Sequence, residues 1–329
     1  MTLVPRFLVS LLAGFQVNRF TRQLKMAGRD PAAQRAGFHR LMTQFAATEF
    51  GRSHGLAADT GIETFRELVP PRNYDHFKPL VRRMIAGEPD VLAPGRCPFF
   101  VESAGTTGSP KLLPVPEPML AHFRQGLRDA LFHYAARLGH AGVFTGRHVH
   151  IGASTALREA NGAYCTSFDG IIALCLTQWV EANLYLPEPA LAQLPEGGEK
   201  LEAVARATLG RDVTLLGGTP ALAHALALAV REAAGTGKRR MTHLQAVWPN
   251  LECCLFTGAP LGLFADHLRA ALGPTVHFHE VYAAAEGIYA VQDDTSAAGL
   301  RLLTDAGVFF EFLPLRDYNS ATLEHAGTH

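Results

Sequence analysis

The chain has 329 residues, of which 48% are hydrophobic and 18% are charged, a composition typical of globular proteins rather than of disordered or fibrous ones. Its 30 basic and 30 acidic side chains give a formal net charge of zero, so any polyanionic partner has to be bound locally, and nucleic acid is not expected as a partner. The five cysteines lack CxxC spacing, which argues against a disulfide framework or a thiolate zinc site and favours a reducing, cytoplasmic setting.

The first hundred residues are predicted to be helical and then irregular. The apolar run at 7–15 is about half the length of a membrane span and lacks a cleavage pattern, so we interpret it as part of a helix on the domain surface. Residues 24–50 carry apolar side chains at helical spacing, and Gly51 and Gly55 are expected to end that helix. The proline-dense residues 69–98 are predicted to be loops wrapped on a core.

Beyond this region, strand-like and helix-like segments alternate. The predicted strands are 148–154, 171–176, 213–218, 251–258, 275–282 and 308–314, and the predicted helices are 117–138, 201–209, 220–234 and 260–272. Thr219 and Pro220 are expected to begin the third of these helices as N-cap and first-turn residue. Strands separated by single helices imply crossover connections and a largely parallel, layered α/β sheet, which we assign to one domain covering 1–329.

Three loops that follow predicted strands carry polar chemistry. They are SAGTTGSPK at 103–111, TGAPLG at 257–262 and YAAAEG at 282–287. In sheets of this class ligands bind at the carboxyl ends of the strands, where such loops converge. We therefore expect these three loops to form one ligand site.

The loop at 103–111 has the features of a phosphate-binding turn. Its side-chain donors are Ser103, Thr106, Thr107, Ser109 and Lys111. Consecutive N–H groups of a glycine-bearing turn form a concavity that binds anions, and the lysine adds a full charge. The spacing of Gly105, Gly108 and Lys111 is not that of a Walker A loop, and GxGxxG is absent. Taken alone, the cluster fits a flexible surface loop equally well.

The loop at 282–287 presents one carboxylate, Glu286, close to the aromatic ring of Tyr282. A carboxylate beside a phosphate site repels the phosphate unless a cation lies between, and Mg²⁺ prefers one or two carboxylates together with phosphate oxygens. Glu286 is therefore a metal candidate, and Tyr282 offers a flat face for a base. The alternatives are a glutamate at a helix start and an ordinary half-buried tyrosine.

Several segments, in order, resemble the auxin-responsive Gretchen Hagen family of acyl-acid amido synthetases, which belongs to the adenylate-forming superfamily with acyl-CoA synthetases and firefly luciferase. The segments are FFVESAGTTGSPKLLPV, WPNLECCLFTGAPLGLFADHL, EVYAAAEGIYAVQ and VFFEFLPL, with AATEFGRSHGL nearer the N-terminus. The resemblance implies the large N-terminal domain of that fold. It also implies an enzyme that adenylates a carboxylic acid with ATP and Mg²⁺ and then transfers the acyl group to an amine or amino acid.

The resemblance also implies roles for individual residues. The phosphate loop would comprise Ser103, Gly105, Thr106, Thr107, Gly108 and Lys111. Thr257 and Gly258 would line the nucleotide pocket and Tyr282 would flank the adenine. Glu286 would help to hold Mg²⁺, and Lys111 and Glu286 would be the catalytic residues.

The chain departs from the family pattern in three places. Ala104 and Ala285 stand where the family usually has hydroxyl side chains, and each loss removes a donor near a polyanion. The family's Tyr-Arg-x-Gly-Asp motif and small C-terminal domain are not found after 308–315, so we expect a fragment or a natural truncation. Two alternatives therefore stay open: an acyl-CoA ligase of the same superfamily, and a catalytically weakened nucleotide- or acyl-binding remnant.

Other candidate sites carry less weight. The pairs His148/His150 and His277/His279 have strand spacing that can bind a metal, but no third ligand follows at a recognisable spacing. The cysteines at 253–254 lie in an apolar strand and are interpreted as core residues. The sequence predicts small-molecule partners and no membrane span, and it leaves the oligomeric state undefined.

Overall fold

The computed structural model describes residues 6–27, 32–103, 111–235, 241–296, 299–314 and 316. They divide into two compact units. The large unit lies within Met1–Gly28, Phe123–Ala156 and Ser167–Leu302, and the small unit lies within Arg29–His122, Leu157–Thr166 and Leu303–His329. The assignment of 1–329 to one domain stays a prediction, and each unit is described separately below.

The helices of the described residues include several single turns as well as long elements. They are α1 (Arg6–Ala27), α2 (Ala32–Ala46), α3 (Glu49–Ser53), α4 (Ile62–Leu68), α5 (Tyr74–Ile85), α6 (Glu117–Leu138), α7 (Phe168–Leu174), α8 (Gln178–Asn183), α9 (Pro189–Ala192), α10 (Gly198–Thr208), α11 (Pro220–Ala234) and α12 (Ala265–Leu272). Among the described residues, no helix has the length and hydropathy needed to cross a membrane.

The strands of the described residues form two sheets. They are β1 (Phe99–Glu102), β2 (Leu112–Val115), β3 (Arg147–Ile151), β4 (Arg158–Ala160), β5 (Ala163–Thr166), β6 (Tyr185–Leu186), β7 (Val213–Gly218), β8 (Cys253–Phe256), β9 (His277–Ala284), β10 (Gly287–Val291) and β11 (Arg301–Leu302). The small unit holds a sheet of order β2-β1-β5-β4, and the large unit holds one of order β11-β10-β9-β8-β7-β3-β6.

In the large unit, the central strands are parallel and their carboxyl ends lie in line. Ile151 pairs with Gly218, Gly218 with Phe256, and Phe256 with Glu280. β9 then continues past its neighbour and turns back as the antiparallel strand β10. The expected parallel α/β sheet is confirmed, and its carboxyl edge is the place where loops following β3, β7, β8 and β9 meet.

Helices cover both faces of this sheet. Apolar side chains of α10, α11 and α12 pack with Trp248 and Phe256 in the main core, where both aromatic rings are fully buried. On the other face, Tyr134 of α6 packs against Leu215 and Cys253. Each such buried side chain is worth about 1.5–3 kcal/mol relative to leaving it exposed. The apolar run of β7 is therefore explained by burial on both faces.

The small unit packs helix α5 on its four-stranded sheet. Val81 and Met84 of α5 are buried against Phe100 and Cys165. The proline-dense residues 69–98 were predicted to be loops, and this is wrong for Tyr74–Ile85. Apolar side chains on one face of α5 provide burial that offsets the loss of the backbone hydrogen bond at Pro79.

Two further expectations are corrected by local hydrogen bonds. Residues 171–176 are not a strand, because the side chain of Ser167 accepts from the amide of Gly170 and begins helix α7 there. The helix predicted at 24–50 is divided among α1, α2 and α3, and Thr48 caps the start of α3 in the same way. A short apolar run fits a strand or a buried helix equally well, so the N-cap hydrogen bond decides which of the two forms.

The strand predicted at 308–314 is also absent from the described residues. Gln34 of α2 binds the backbone of this segment instead, donating to the carbonyls of Thr304 and Val308 and accepting from the amide of Phe310. The ring of Phe309 lies 4.9 Å from that of Phe38. A side-chain amide thus replaces the neighbouring strand as the hydrogen-bonding partner.

Candidate functional site

The loop after β8 begins the candidate site in the large unit. The amide of Thr257 donates to the carbonyl of Gly218 over 3.2 Å, which continues the parallel ladder by one bond. Gly258 then turns the chain with a φ of +82°, a left-handed conformation that favours glycine. A Cβ at Gly258 would lie 3.4 Å from the side chain of Thr219. Thr257 and Gly258 therefore hold backbone groups at the carboxyl edge of the sheet.

The tight turn between β9 and β10 places the predicted metal ligand in solvent. Ala285 and Glu286 form this turn, and Gly287 begins β10. Glu286 is exposed, and it lies in a β-turn rather than at a helix start, so that alternative is wrong. An exposed carboxylate here fits Mg²⁺, which completes its shell with phosphate oxygens and water.

Tyr282 lies on the same hairpin with 59% of its surface exposed. The alternative of an ordinary half-buried tyrosine is therefore wrong. Its ring centroid is 5.4 Å from that of Tyr289. Burial, with the nearby charge of Glu286, raises the pKa of Tyr289 to about 12. Tyr289 thus stays neutral beside the Tyr282 ring, and the exposed part of the Tyr282 ring offers a surface for stacking.

The predicted phosphate loop spans the ends of a β-hairpin in the small unit. Ser103 follows β1 and Lys111 precedes β2; the amide of Ser103 donates to the carbonyl of Lys111 over 2.9 Å. The amide of Lys111 donates back to the Ser103 hydroxyl over 3.3 Å. Gly105, Thr106, Thr107 and Gly108 lie outside the described residues, as does Ala104.

Tyr74 of α5 holds the lysine end of this loop, a role that no sequence pattern predicted. Its hydroxyl donates to the carbonyl of Leu112 over 2.9 Å and accepts from the amide of Leu112 over 3.0 Å. The Lys111 ammonium lies 5.6 Å from the centroid of the Tyr74 ring, within the range of a cation–π contact. Tyr74 thereby positions both the backbone of Leu112 and the ammonium group of Lys111 at the end of the loop.

The structure thus brings the predicted residues together in two groups. Thr257, Gly258, Tyr282 and Glu286 share the carboxyl edge of the large sheet, and Ser103 and Lys111 share the hairpin of the small unit. The meeting of the two groups around one ligand stays a prediction.

A cluster that the sequence did not reveal lies at the end of β3. Nε2 of His150 donates to Oδ1 of Asp169 over 2.6 Å, and the amide of Ala153 donates to Oδ2 over 2.8 Å. The buried ammonium of Lys200 donates to the three carbonyls of Gly152, Ala153 and Ala192. These contacts fix the loop that follows β3, at the same edge of the sheet as Thr257.

Asp169 and Lys200 each favour the charged form of the other. Burial acts to raise the pKa of Asp169, but the hydrogen bond and charge of His150, the Ala153 amide and Lys200 outweigh it, so the pKa is lowered. Burial lowers the pKa of Lys200, and Asp169 opposes that change. A Cβ at Gly152 would lie 2.4 Å from the carboxylate of Asp169. Only glycine fits there without displacing the acid.

The histidine pairs considered for zinc have other contacts. Nε2 of His148 donates to the carbonyl of Val143, and Nε2 of His279 donates to that of Ala130, each over 2.9 Å. Within the described ranges there is no grouping of three or more His, Cys, Asp or Glu side chains suited to a metal ion. Cys253 and Cys254 are fully buried, and burial raises the pKa of both thiols, as expected of core residues.

Comparison with known proteins gives matches over different parts of the chain. Residues 19–167 match the model of the GH3 family N-terminal domain. The chain is similar to the indole-3-acetic acid-amido synthetase GH3.17 of Arabidopsis thaliana, with 33% identity over 86 residues, or 25% of this chain and 14% of that protein. It is also similar to GH3.6 of the same plant, with 32% identity over 89 residues, or 26% of this chain and 14% of that protein.

Solved structures share the fold over most of the chain. GH3.15 acyl acid amido synthetase aligns with a TM-score of 0.59 and 17% identity, covering 83% of this chain and 57% of that one. An open conformation of 2-hydroxyisobutyryl-CoA ligase aligns with a TM-score of 0.54 and 17% identity, covering 83% of this chain and 58% of that one. These similarities show that the chain shares the fold of these two ligases, and the chain spans little more than half the length of each of these structures.

Proposed function

We propose that the chain belongs to the GH3 family and that residues 1–329 are the adenylate-forming large domain of an ATP-dependent acyl-acid amido synthetase; the match of residues 19–167 to the GH3 N-terminal domain and the similarity to GH3.17 support this. In the first half-reaction, a carboxylate oxygen attacks the α-phosphorus of ATP, and the bond to the β-phosphate breaks to release pyrophosphate. In the second, an amine attacks the acyl carbon of the adenylate. The C–O bond breaks, AMP leaves, and the amine loses a proton to solvent.

The observation that carries this proposal is the convergence of four residues at one edge of the large sheet. Thr257 and Gly258 follow β8, while Tyr282 and Glu286 lie on the hairpin that extends from the neighbouring strand β9. Thr257 and Gly258 line the nucleotide pocket, and the exposed ring of Tyr282 flanks the adenine. A ligand at the carboxyl ends of parallel strands is the usual arrangement in α/β folds.

The phosphates are assigned to the hairpin loop of the small unit. Ser103, Gly105, Thr106, Thr107, Gly108 and Lys111 form this loop. In adenylation the protein mainly positions the reactants and neutralises charge, so donors and a cation around the phosphates are required. The contacts of Tyr74 with Leu112 and Lys111 support a fixed position for the lysine.

Mg²⁺ is assigned to the carboxylate of Glu286. When bound, the ion neutralises charge on the phosphates and orients them. One exposed acid is the donor set that Mg²⁺ takes when phosphate supplies the other ligands. Ala285, beside it, offers no hydroxyl to that shell.

The substrates are a small carboxylic acid and an amine or amino acid. The similar plant proteins are named for indole-3-acetic acid, which supports an acid as the first substrate. We place the protein in the cytoplasm, and the burial of its five cysteines, with no disulfide among the described residues, supports a reducing setting. The match to GH3 synthetases favours an amine over the thiol of CoA as acceptor, although a CoA ligase shares the fold.

Pyrophosphate exchange with a panel of carboxylic acids tests the first half-reaction. We expect at least one acid to drive exchange, and Glu286→Gln to slow that exchange by about 10²-fold or more. Glu232→Gln is the matched control, because Glu232 is an exposed acid on α11 of the same unit. ATP binding without exchange for any acid would instead identify a nucleotide-binding remnant.

The acceptor is tested by trapping. An active adenylate should yield acyl-hydroxamate with hydroxylamine and no thioester with CoA. Formation of a thioester would replace the amido synthetase assignment with that of an acyl-CoA ligase.

A further inference from the structure

Helix α1 exposes a cluster of large apolar side chains. Leu11, Leu12 and Phe15 are 68%, 61% and 60% exposed. A single exposed apolar side chain is ordinary, but three within two helical turns form a patch that marks an interaction surface. None of these residues takes part in the proposed adenylation, so their exposure needs a separate explanation.

The three side chains lie on the side of α1 that faces away from the large unit. Successive residues of an α-helix are rotated by about 100° around its axis. Measured from Leu11, Phe15 therefore lies at about 40° and Leu12 at about 100°. By the same geometry, Phe20 lies about 180° and Val17 about 240° around. Val17 is buried, and Phe20 contacts the rings of Phe132 and His133 at 5.5 and 5.0 Å. One face of α1 is packed, and the opposite face presents the patch.

The same outward face carries positive charge. Arg22 lies about 20° and Arg19 about 80° around the helix from Leu11. Both are exposed, and the α1 sequence RFLVSLLAGFQVNRFTRQLKMA contains no acidic residue. The outward face of α1 is thus apolar toward its N-terminus and cationic toward its C-terminus. Burial of exposed apolar side chains and attraction of basic residues to anionic lipid are the two contributions that bind a helix to a membrane surface.

We propose that this outward face of α1, formed by Leu11, Leu12, Phe15, Arg19 and Arg22, binds the surface of a membrane that contains anionic lipid. The apolar side chains enter the boundary between headgroups and acyl chains, and the arginines pair with lipid phosphates. The helix lies in the interface and does not span it. A symmetric contact between the α1 helices of two copies is disfavoured, because α1 has no acid to pair with the arginines of the other α1.

Co-sedimentation with vesicles tests the proposal. We expect the chain to sediment with phosphatidylcholine vesicles that contain phosphatidylserine, and less with phosphatidylcholine alone. Raising the salt concentration should weaken binding, because it screens the arginines. A chain that stays in the supernatant at low salt with phosphatidylserine present overturns the proposal.

Variants separate the apolar and the cationic contributions. Leu11→Gln/Leu12→Gln/Phe15→Gln should lower the partition coefficient at least about tenfold, while glutamine preserves helix propensity. Arg19→Gln/Arg22→Gln should remove the preference for phosphatidylserine. Leu228→Gln is the control, since Leu228 is 47% exposed on α11 of the same unit.

Two other results would also overturn the proposal. One is equal sedimentation of the apolar triple variant and the wild-type chain. The other is a concentration-dependent dimer, seen by analytical ultracentrifugation, that the triple variant abolishes while vesicles bind neither protein. Thermal unfolding of each variant shows whether the large unit is intact, so loss of binding can be separated from loss of folding.

Discussion

Acidification from about pH 8 to about pH 5 should destabilise the large unit, because folding holds two of its histidines neutral. Burial lowers the pKa of His148 to about 4 and that of His279 to about 3, from 6.5 in an unfolded chain. Each ring donates from Nε2 to a backbone carbonyl. Nδ1 of His279 is buried without a partner among the described residues, so a proton there would be both buried and unpaired.

The sign of the stability change follows from the pKa values of each histidine in the folded and in the unfolded chain. Above pH 6.5 both histidines are neutral in the folded and unfolded chain, and their contribution to stability is fully present. Below 6.5 the unfolded chain takes up protons that the folded chain does not, so the free energy of unfolding falls. At pH 5 the expected loss is about 2 kcal/mol for each histidine, or about 4 kcal/mol together.

Urea denaturation at several pH values between these limits measures the effect, with the fluorescence of buried Trp248 as a signal of the main core. His279→Gln retains a donor for the carbonyl of Ala130 and removes the titration, so it should reduce the pH dependence by about 2 kcal/mol. His267→Gln, at an exposed position on α12, should not change it. Equal pH dependence in the wild-type and His279→Gln chains would refute this reasoning.

Two further predictions concern packing and the cluster beside β3. Gly126→Ala places a Cβ 2.8 Å from Cβ of Ile288, and should lower the free energy of unfolding by about 1–3 kcal/mol. Gly14→Ala, with nothing within 4 Å, should instead raise it by about 0.5–1 kcal/mol, and the opposite order in thermal unfolding would contradict the packing. Asp169→Asn removes the charged acceptor of His150 and should cost about 1–3 kcal/mol in urea denaturation, whereas an unchanged midpoint would show that the pair contributes nothing.

Elements with local signals in the sequence were predicted correctly. Helix α11 begins after Thr219 and ends at Ala234, as its cap, its proline and the following glycine indicated. Strand β7 matches the predicted 213–218 because an apolar run followed by a glycine turn suits a strand buried on both faces. Residues 171–176, wrongly predicted as a strand, have the same kind of apolar run, but Ser167 caps a helix just before them.

Candidate site residues could be named from the sequence only where their chemistry is local. Tyr282 and Glu286 lie within one short segment after a predicted strand, so both could be named as candidates, and the family resemblance then implied their roles. Asp169 and Lys200 could not be found in this way, because their contacts join residues as many as 48 positions apart. Gln34 reaches across 276 positions to Phe310, and no pattern in either segment reveals this.

The position of Tyr74 also has a consequence for how the small sheet ends. β2 is an edge strand of that sheet. The backbone N–H and C=O groups of successive β2 residues point alternately toward β1 and outward. The outward amide of Leu112 is already bonded to the phenol, and Pro114, the next outward residue, has no amide hydrogen. An extended segment of another molecule arriving at this margin would find no free donor along the described strand, so fibrillar growth by strand addition is blocked at this side.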